Sequence, residues 1–124
     1  MSVNQLLKVK SFLITGVALV GLSGCKLCGV EVLEKSASPD GKWVATIMTR
    51  DCGATTSEYI LVNLQEAKQS RLDEANDVFV IKHLHPVHVS WQENDNLKID
   101  CEYCNLDKAE KKLEKLGSVR IIYR

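Results

Sequence analysis

Thiols and imidazoles are the side chains of this chain best suited to chemistry, and both occur in tight groups. Cys101-Glu-Tyr-Cys104 sets two thiols three positions apart. A strand-like stretch precedes them and a helix-like stretch follows. That is the local setting of dithiol redox chemistry, in which a helix N-terminus lowers a thiol pKa and makes the thiolate reactive. A second group is His83-Leu-His85-Pro-Val-His88. Strand alternation puts His83 and His85 on one face, where they suit a shared metal ion. Cys101 and Cys104 would complete a mixed Cys/His set. A third group is Arg50-Asp51-Cys52-Gly53-Ala54-Thr55-Thr56. Gly53 allows a sharp backbone turn, and the hydroxyls of Thr55 and Thr56 can bond to the loop backbone. Loops on a rigid scaffold often carry recognition, so Arg50, Asp51, Gly53, Thr55 and Thr56 form a candidate binding loop. No Ser/His/Asp order, carboxylate pair or phosphate-binding glycine loop accompanies them.

Each group also has a plainer reading. Thioredoxin-type redox proteins need further βαβ units, and this chain has room for one helix with few residues after it. Cysteines held in a disulfide do not bind zinc, and the histidines then read as polar residues on the solvent side of strands. Residues i and i+3 of a flat strand lie ~10 Å apart, beyond the reach of a disulfide. A Cys101–Cys104 bond therefore requires the strand to end near Cys101. The Arg50–Thr56 loop reads equally as a rigid connection. On this view there is no catalytic residue, no cofactor and no metal, and His83, His85 and His88 are the metal candidates of the rival view.

The elements that position these groups begin after residue 24. The chain opens MSVNQLLKVK, with Lys8 and Lys10 and no acidic residue, followed by the apolar SFLITGVALVGLSG. A basic head, a short apolar run and a small-residue exit describe a signal peptide. The run is shorter than the ~20 residues that span a bilayer comfortably. Leu22-Ser23-Gly24-Cys25 resembles the lipobox of bacterial lipoproteins. That resemblance implies a Cys25 thiol alkylated by a diacylglyceryl group, cleavage just before it, and an N-terminus acylated by a fatty acid such as palmitate. Two or more chains anchor a protein stably where one does so only marginally. In the lipoprotein family an aspartate after the cysteine favours inner-membrane retention. Here that residue is Lys26, which implies the outer membrane, facing the periplasm.

Residues 25–124 then form one small domain, which a covalent staple would help to stabilise. Lys8 and Lys10 leave with the signal, so 16 basic side chains become 14 against 16 acidic ones. The resulting charge of −2 gives no basic face for nucleic acid. With Cys25 committed to lipid, Cys28, Cys52, Cys101 and Cys104 remain. An even number in an exported protein suggests disulfides, with three connectivities open. A hairpin argument chooses among them. VEVLEKS (30–36) and WVATIMTR (43–50) flank SPDGK, in which Pro39 fixes φ, Asp40 can bond its own backbone and Gly41 permits φ > 0. Centred on Asp40, facing residue numbers add to about 80, which Cys28 and Cys52 satisfy. That favours Cys28–Cys52 and leaves Cys101–Cys104.

Further strands are expected at 57–64, 78–84, 87–91, 97–103 and 118–124, from their β-branched and aromatic content and their alternation. Residues 65–77 read as a loop. DKAEKKLEKLG (107–117) reads as a helix: Asp107 caps it, Glu110 follows three later, Ala109, Leu113 and Leu116 form a stripe, and Gly117 stops it. The expected fold is mainly β, a β-sandwich or bent antiparallel sheet, with one C-terminal helix before the last strand.

SPDGKWVATIMTRDCGATT, with WQENDNLKI and the closing VRIIYR, resembles a group of small exported bacterial proteins of unknown function. The likeness covers about two thirds of residues 25–124. It implies the exported β-domain and the first hairpin, and it carries no activity. The expectation is a non-catalytic envelope lipoprotein, held to the membrane by its lipid, that binds an envelope protein or component. An immunity protein against a periplasmic toxin is one concrete form. The rival is a metal-handling or thiol-redox envelope protein using His83, His85, His88, Cys101 and Cys104. The first prediction concerns the anchor. Cys25→Ser is expected to yield an uncleaved or soluble species, read by detergent partitioning and mass. A variant that still enters the detergent phase at the mature size would show that Cys25 is not lipidated.

Overall fold

The computed structural model describes residues 28–53 and 57–124. The segment 1–24 and Cys25 lie outside them, as do Thr55 and Thr56. Among the described residues, nine strands form two sheets. The first sheet contains β1 (Gly29–Ala37), β2 (Trp43–Asp51), β3 (Glu58–Glu66), β4 (Asp77–Lys82) and β7 (Lys111–Lys112), in that spatial order. The second contains β5 (Val87–Glu93), β6 (Asn96–Cys101), β9 (Val119–Tyr123) and β8 (Lys115–Leu116), also in spatial order.

The SPDGK turn sets the register of the first hairpin. Ser38 and Trp43 close it through a backbone bond of 2.8 Å. The Ser38 hydroxyl donates to Asp40 Oδ1 at 2.6 Å and accepts from the Trp43 N–H at 3.1 Å. Gly41 supplies the left-handed backbone at φ 74°, which L side chains adopt poorly. The Ser38 hydroxyl, and then the Lys42 N–H, hold the Asp40 carboxyl below its ordinary value of 3.8. Its contribution to the turn is complete above that value and is lost as pH falls through the lowered one. Gly29 faces Asp51 and Val30 faces Arg50, so the pairing reaches the disulfide between Cys28 and Cys52.

The inner faces of the two sheets share one core. Ile47, Ile60, Val62, Leu64 and Phe79 come from the first sheet, and Leu97, Ile99, Val119 and Ile121 from the second. Alternation explains the selection: Ile60, Val62 and Leu64 point one way while Leu61, Asn63 and Gln65 point the other. The Trp91 indole N–H donates to Ser36 O at 3.0 Å and so ties β5 to β1. At the other margin, the Tyr123 hydroxyl lies 2.5 Å from Leu113 O and 3.2 Å from Val78 O. Burial, and then the Glu114 carboxylate, push this phenol well above its ordinary value of 10.0, so it remains a neutral donor at physiological pH.

The expected helix over 107–117 does not form, and the described residues contain no α-helix. Leu106–Lys108 makes a single 3-10 turn whose preceding Asn105, rather than Asp107, accepts from a backbone N–H. Lys111 and Lys112 then pair with Val80 and Phe79, while Leu116 pairs with Val119. The reason lies in the pattern. Ala109, Lys111 and Leu113 are half-buried, and Glu110, Lys112 and Glu114 are exposed, which is strand alternation. A stripe at 109 and 113 suits both periods, and the open edge of β4 offers ladder partners that an isolated short helix lacks. Gly117 has a positive φ of 58°, but it turns a hairpin between β8 and β9 instead of ending a helix. A Cβ there would come within 3.0 Å of the Trp43 ring. A second correction concerns β6 and β9, which pair in parallel, so the second sheet is mixed and not antiparallel throughout.

Strand β6 ends at Cys101, and Tyr103 takes φ 60°. This backbone reversal leaves the Cys101 and Cys104 Cα atoms 5.6 Å apart, within disulfide reach, and the two are joined. The two bonds close loops of very different size, with sequence separations of 24 and 3. Replacing both Cys28 and Cys52 by serine is expected to lower stability by up to about 3 kcal/mol, and replacing Cys101 and Cys104 by less. Denaturant midpoints of the two double variants check the order; the reverse order would mean that loop size is not what governs the two bonds.

Candidate functional site

On the outer face of the first sheet the register gathers Val30 and Val32 of β1, Thr46, Met48 and Arg50 of β2, and Leu61, Asn63 and Gln65 of β3. A cleft of about 320 Å³ opens there beside the Cys28–Cys52 bond. Val30, Met48 and Leu72 give it apolar walls, and Arg50, Asn63 and Asp77 give it polar ones.

Three strands and one loop position the polar group. Arg50 near the end of β2 donates to Asp77 Oδ2 at 3.0 Å. The Asn63 amide donates to Asp77 Oδ1 and to Asp73 O, each at 2.8 Å. Asp73 in turn caps the 3-10 turn Glu74–Asn76 by accepting from Ala75 N–H at 2.9 Å. Arg50 also lies 3.5 Å from Glu74, whose carboxylate is 79% exposed, so water screens that second pair. The Asp77 side chain is only 3% exposed, and its two oxygens are both used. Asn63 is fully buried, its amide hydrogens are committed, and its Oδ1 has no partner. Thr46 Oγ1 and Gln65 Oε1 on the same face are likewise buried without a partner. An unpaired buried polar atom costs roughly 1–3 kcal/mol, a cost that this face carries inside the fold. Arg50 and Asp77 neutralise each other and expose no reactive base or nucleophile. The arrangement suits recognition.

Of the candidate loop, Arg50 lines this cleft, while Asp51 turns its side chain to its own loop and accepts from Gly53 N–H at 3.1 Å. Gly53 has φ 131°. Thr55 and Thr56 lie outside the described residues. His83 and His85 do come together, but not by strand alternation. Strand β4 ends at Lys82, His83 turns to φ 69°, and both imidazoles line a second cleft with Tyr103. His88 sits apart on β5, exposed. Cys101 and Cys104 are bonded to each other. Among the described residues no group of three or more His, Cys, Asp or Glu side chains is placed to hold a metal ion.

Asn63 and Asp77 are the site residues that motif reading passes over. Their signal is present: Asn63 interrupts the apolar run YILVNL, and Asp77 directly precedes VFVI. A polar residue at an interior strand position needs a buried partner, and these two supply one another's. No family model matches the chain, and no curated protein or solved structure matches it significantly.

Removing the anion tests the network. Asp77→Ala is expected to cost about 3 kcal/mol, the low end for one partner of a buried pair, since the Arg50 side chain keeps 18% exposure. Glu74→Ala is expected to cost less than about 1 kcal/mol. Equilibrium denaturation compares them, and equal losses would mean that Asp77 is not the anchor of Arg50.

Proposed function

We propose that the chain is a lipid-anchored protein of the bacterial envelope whose domain binds a protein partner without catalysis. Cleavage before Cys25 leaves residues 25–124 tethered to the outer membrane and facing the periplasm. The two disulfides fit an oxidising compartment.

The observation that carries the binding reading is the cleft at Arg50 together with the strand beside it. Among the described residues, strand β1 lies at one edge of the five-stranded sheet. Val30, Val32 and Leu33 on it are 44–52% exposed. A long edge strand with exposed apolar side chains is a template for an added strand. The neighbouring cleft adds apolar walls at Val30, Met48 and Leu72. Both features face a partner that presents extended backbone with apolar side chains. The bulge at Leu33 narrows the choice, because it breaks the regular ladder in mid-strand. An immunity protein, which blocks a toxin by covering it, is one form of such a binder.

A photo-crosslinking residue placed at Val32 or Leu72 in intact envelopes is expected to give a discrete protein adduct, and one placed at the exposed Ser118 none. Val30→Glu, at an exposed position, should abolish the adduct. Capture from Ser118 alone, or adducts indifferent to Val30→Glu, would remove β1 and the Arg50 cleft as the binding surface.

A further inference from the structure

The second cleft lies between the end of β4 and the loop that the Cys101–Cys104 bond closes. It measures about 320 Å³, and its walls carry Lys82, His83, His85, Tyr103, Asn105 and Lys108 over an apolar patch at Ile81. We propose that this cleft binds a phosphate group. The site lies apart from the Arg50 cleft and goes beyond the partner-binding role proposed above.

Charge is the first argument. The walls present two ammonium groups and two imidazoles, and no carboxylate lines them. The Arg50 cleft differs, for there Asp73, Glu74 and Asp77 answer the cation. An uncompensated cationic concavity concentrates anions.

Donor geometry is the second. Each lysine offers three hydrogens, and the phenol, imidazoles and amide offer more. Asn105 Oδ1 already accepts from Asp107 N–H at 3.1 Å, which leaves its amide hydrogens to donate. A carboxylate has two oxygens to meet these donors, whereas a phosphate has three or four around a tetrahedral centre. The volume exceeds that of phosphate alone, and Ile81 with the Tyr103 ring gives an apolar wall for an ester's organic part.

The backbone supplies the third argument. The two non-glycine residues with positive φ among the described residues, His83 at 69° and Tyr103 at 60°, both border this cleft. The His83 N–H is held by Glu58 O at 2.7 Å, and Tyr103 stands between the two bonded cysteines while its side chain is 90% exposed. The reversal at Tyr103 serves the Cys101–Cys104 closure, and it leaves the exposed ring at the cleft as a stacking wall for a ligand. The disulfide then acts as a positioning device that keeps Tyr103 and Asn105 over the β4 end.

Location suggests two sources of the phosphate. Gly29 faces Asp51, Asp51 faces Glu58, and Glu58 bonds His83. The cleft therefore opens at the end of the sheet where β1 begins. Cys25 precedes Cys28 by three residues, within ~10 Å of extended chain. If Cys25 is lipidated, as proposed above, an anionic lipid headgroup is in reach; a soluble phosphorylated molecule needs no tether.

The chain has three histidines, so its imidazole C–H resonances form a compact probe with an internal control. The full chain in a maltoside detergent is titrated with sodium phosphate against sodium chloride of equal ionic strength at fixed pH. His83 and His85 are expected to shift together and saturably, while His88 stays. Lys82→Gln with Lys108→Gln should weaken the response at least about tenfold, the equivalent of one charge-assisted hydrogen bond. Vesicles of phosphatidylglycerol and of phosphatidylcholine then separate the sources. Movement of His83 and His85 with the anionic vesicles identifies a headgroup site, and movement with inorganic phosphate alone identifies a soluble ligand. No saturable shift with either, equal movement of His88, or indifference to the lysine replacements would overturn the proposal. The phosphate titration does not depend on the anchor, and the Cys25→Ser partitioning reads the anchor by itself.

Discussion

The register of the first hairpin is the constraint on which the rest of the molecule depends. Ser38, Asp40 and Gly41 fix it within five residues, through the hydroxyl–carboxylate bond and one left-handed glycine. Side chains on a strand alternate, so a slip of one residue would exchange the two faces. Ala45 and Ile47 would leave the core, and Thr46, Met48 and Arg50 would enter it. Because β3 pairs with β2 residue for residue, from Trp43–Glu66 to Asp51–Glu58, the error would spread across the sheet. The Cys28–Cys52 bond fastens the open end, where the bulge at Leu33 has shifted the pairing by one residue from the register that the turn sets at the closed end.

The second sheet is tied to the first at its margins by aromatic polar groups on backbone carbonyls. Trp91 reaches Ser36 at one margin, and Tyr123 reaches Val78 and Leu113 at the other. Tyr123 also packs 5.5 Å from Phe79, with Lys112 over its ring at 5.4 Å. Between these ties the segment 111–116 crosses from β4 of one sheet to β9 of the other. A helix in that position would have left the β4 edge bare; two short strands give an edge partner to each sheet.

Much of this could be read from residue patterns, and the misreadings have identifiable causes. The SPDGK turn, the strand positions and the hairpin argument that pairs Cys28 with Cys52 all rest on local geometry, which a sequence displays directly. The 107–117 segment was ambiguous locally, since Ala109, Leu113 and Leu116 fit a helical stripe while residues 109–114 alternate. What decided it was an unpaired edge about thirty residues earlier in the chain, and no local pattern displays that. The parallel pairing of β9 with β6 is a long-range fact of the same kind. Arg50 of the candidate loop bonds Asp77, which is 27 residues away. Only the bulge between Val62 and Asn63 brings Asp77 opposite Asn63. Strand alternation would group His83 and His85, and a turn at His83 groups them instead.

Both clefts sit at one end of the first sheet, and a single row of paired residues explains their different chemistry. Arg50 faces Tyr59, and Tyr59 faces Lys82. One end of that row carries a guanidinium and the other an ammonium. At Arg50 the fold supplies Asp77 from β4, two strands away, with Asp73 and Glu74 beside it, so the cation is answered internally and the cleft carries more acid than base between its apolar walls. At Lys82 the chain turns at His83 and brings Lys108 across from the loop after the disulfide, which adds charge of the same sign. Burying a pair suits a surface that must shed water to meet an apolar partner, because a charge left unpaired there would be costly to desolvate. Leaving cations unanswered suits a surface whose ligand arrives with the opposite charge. Screening by salt falls mainly on exposed charges, so at the Arg50 cleft it acts on Glu74, which is 79% exposed, far more than on the buried Asp77.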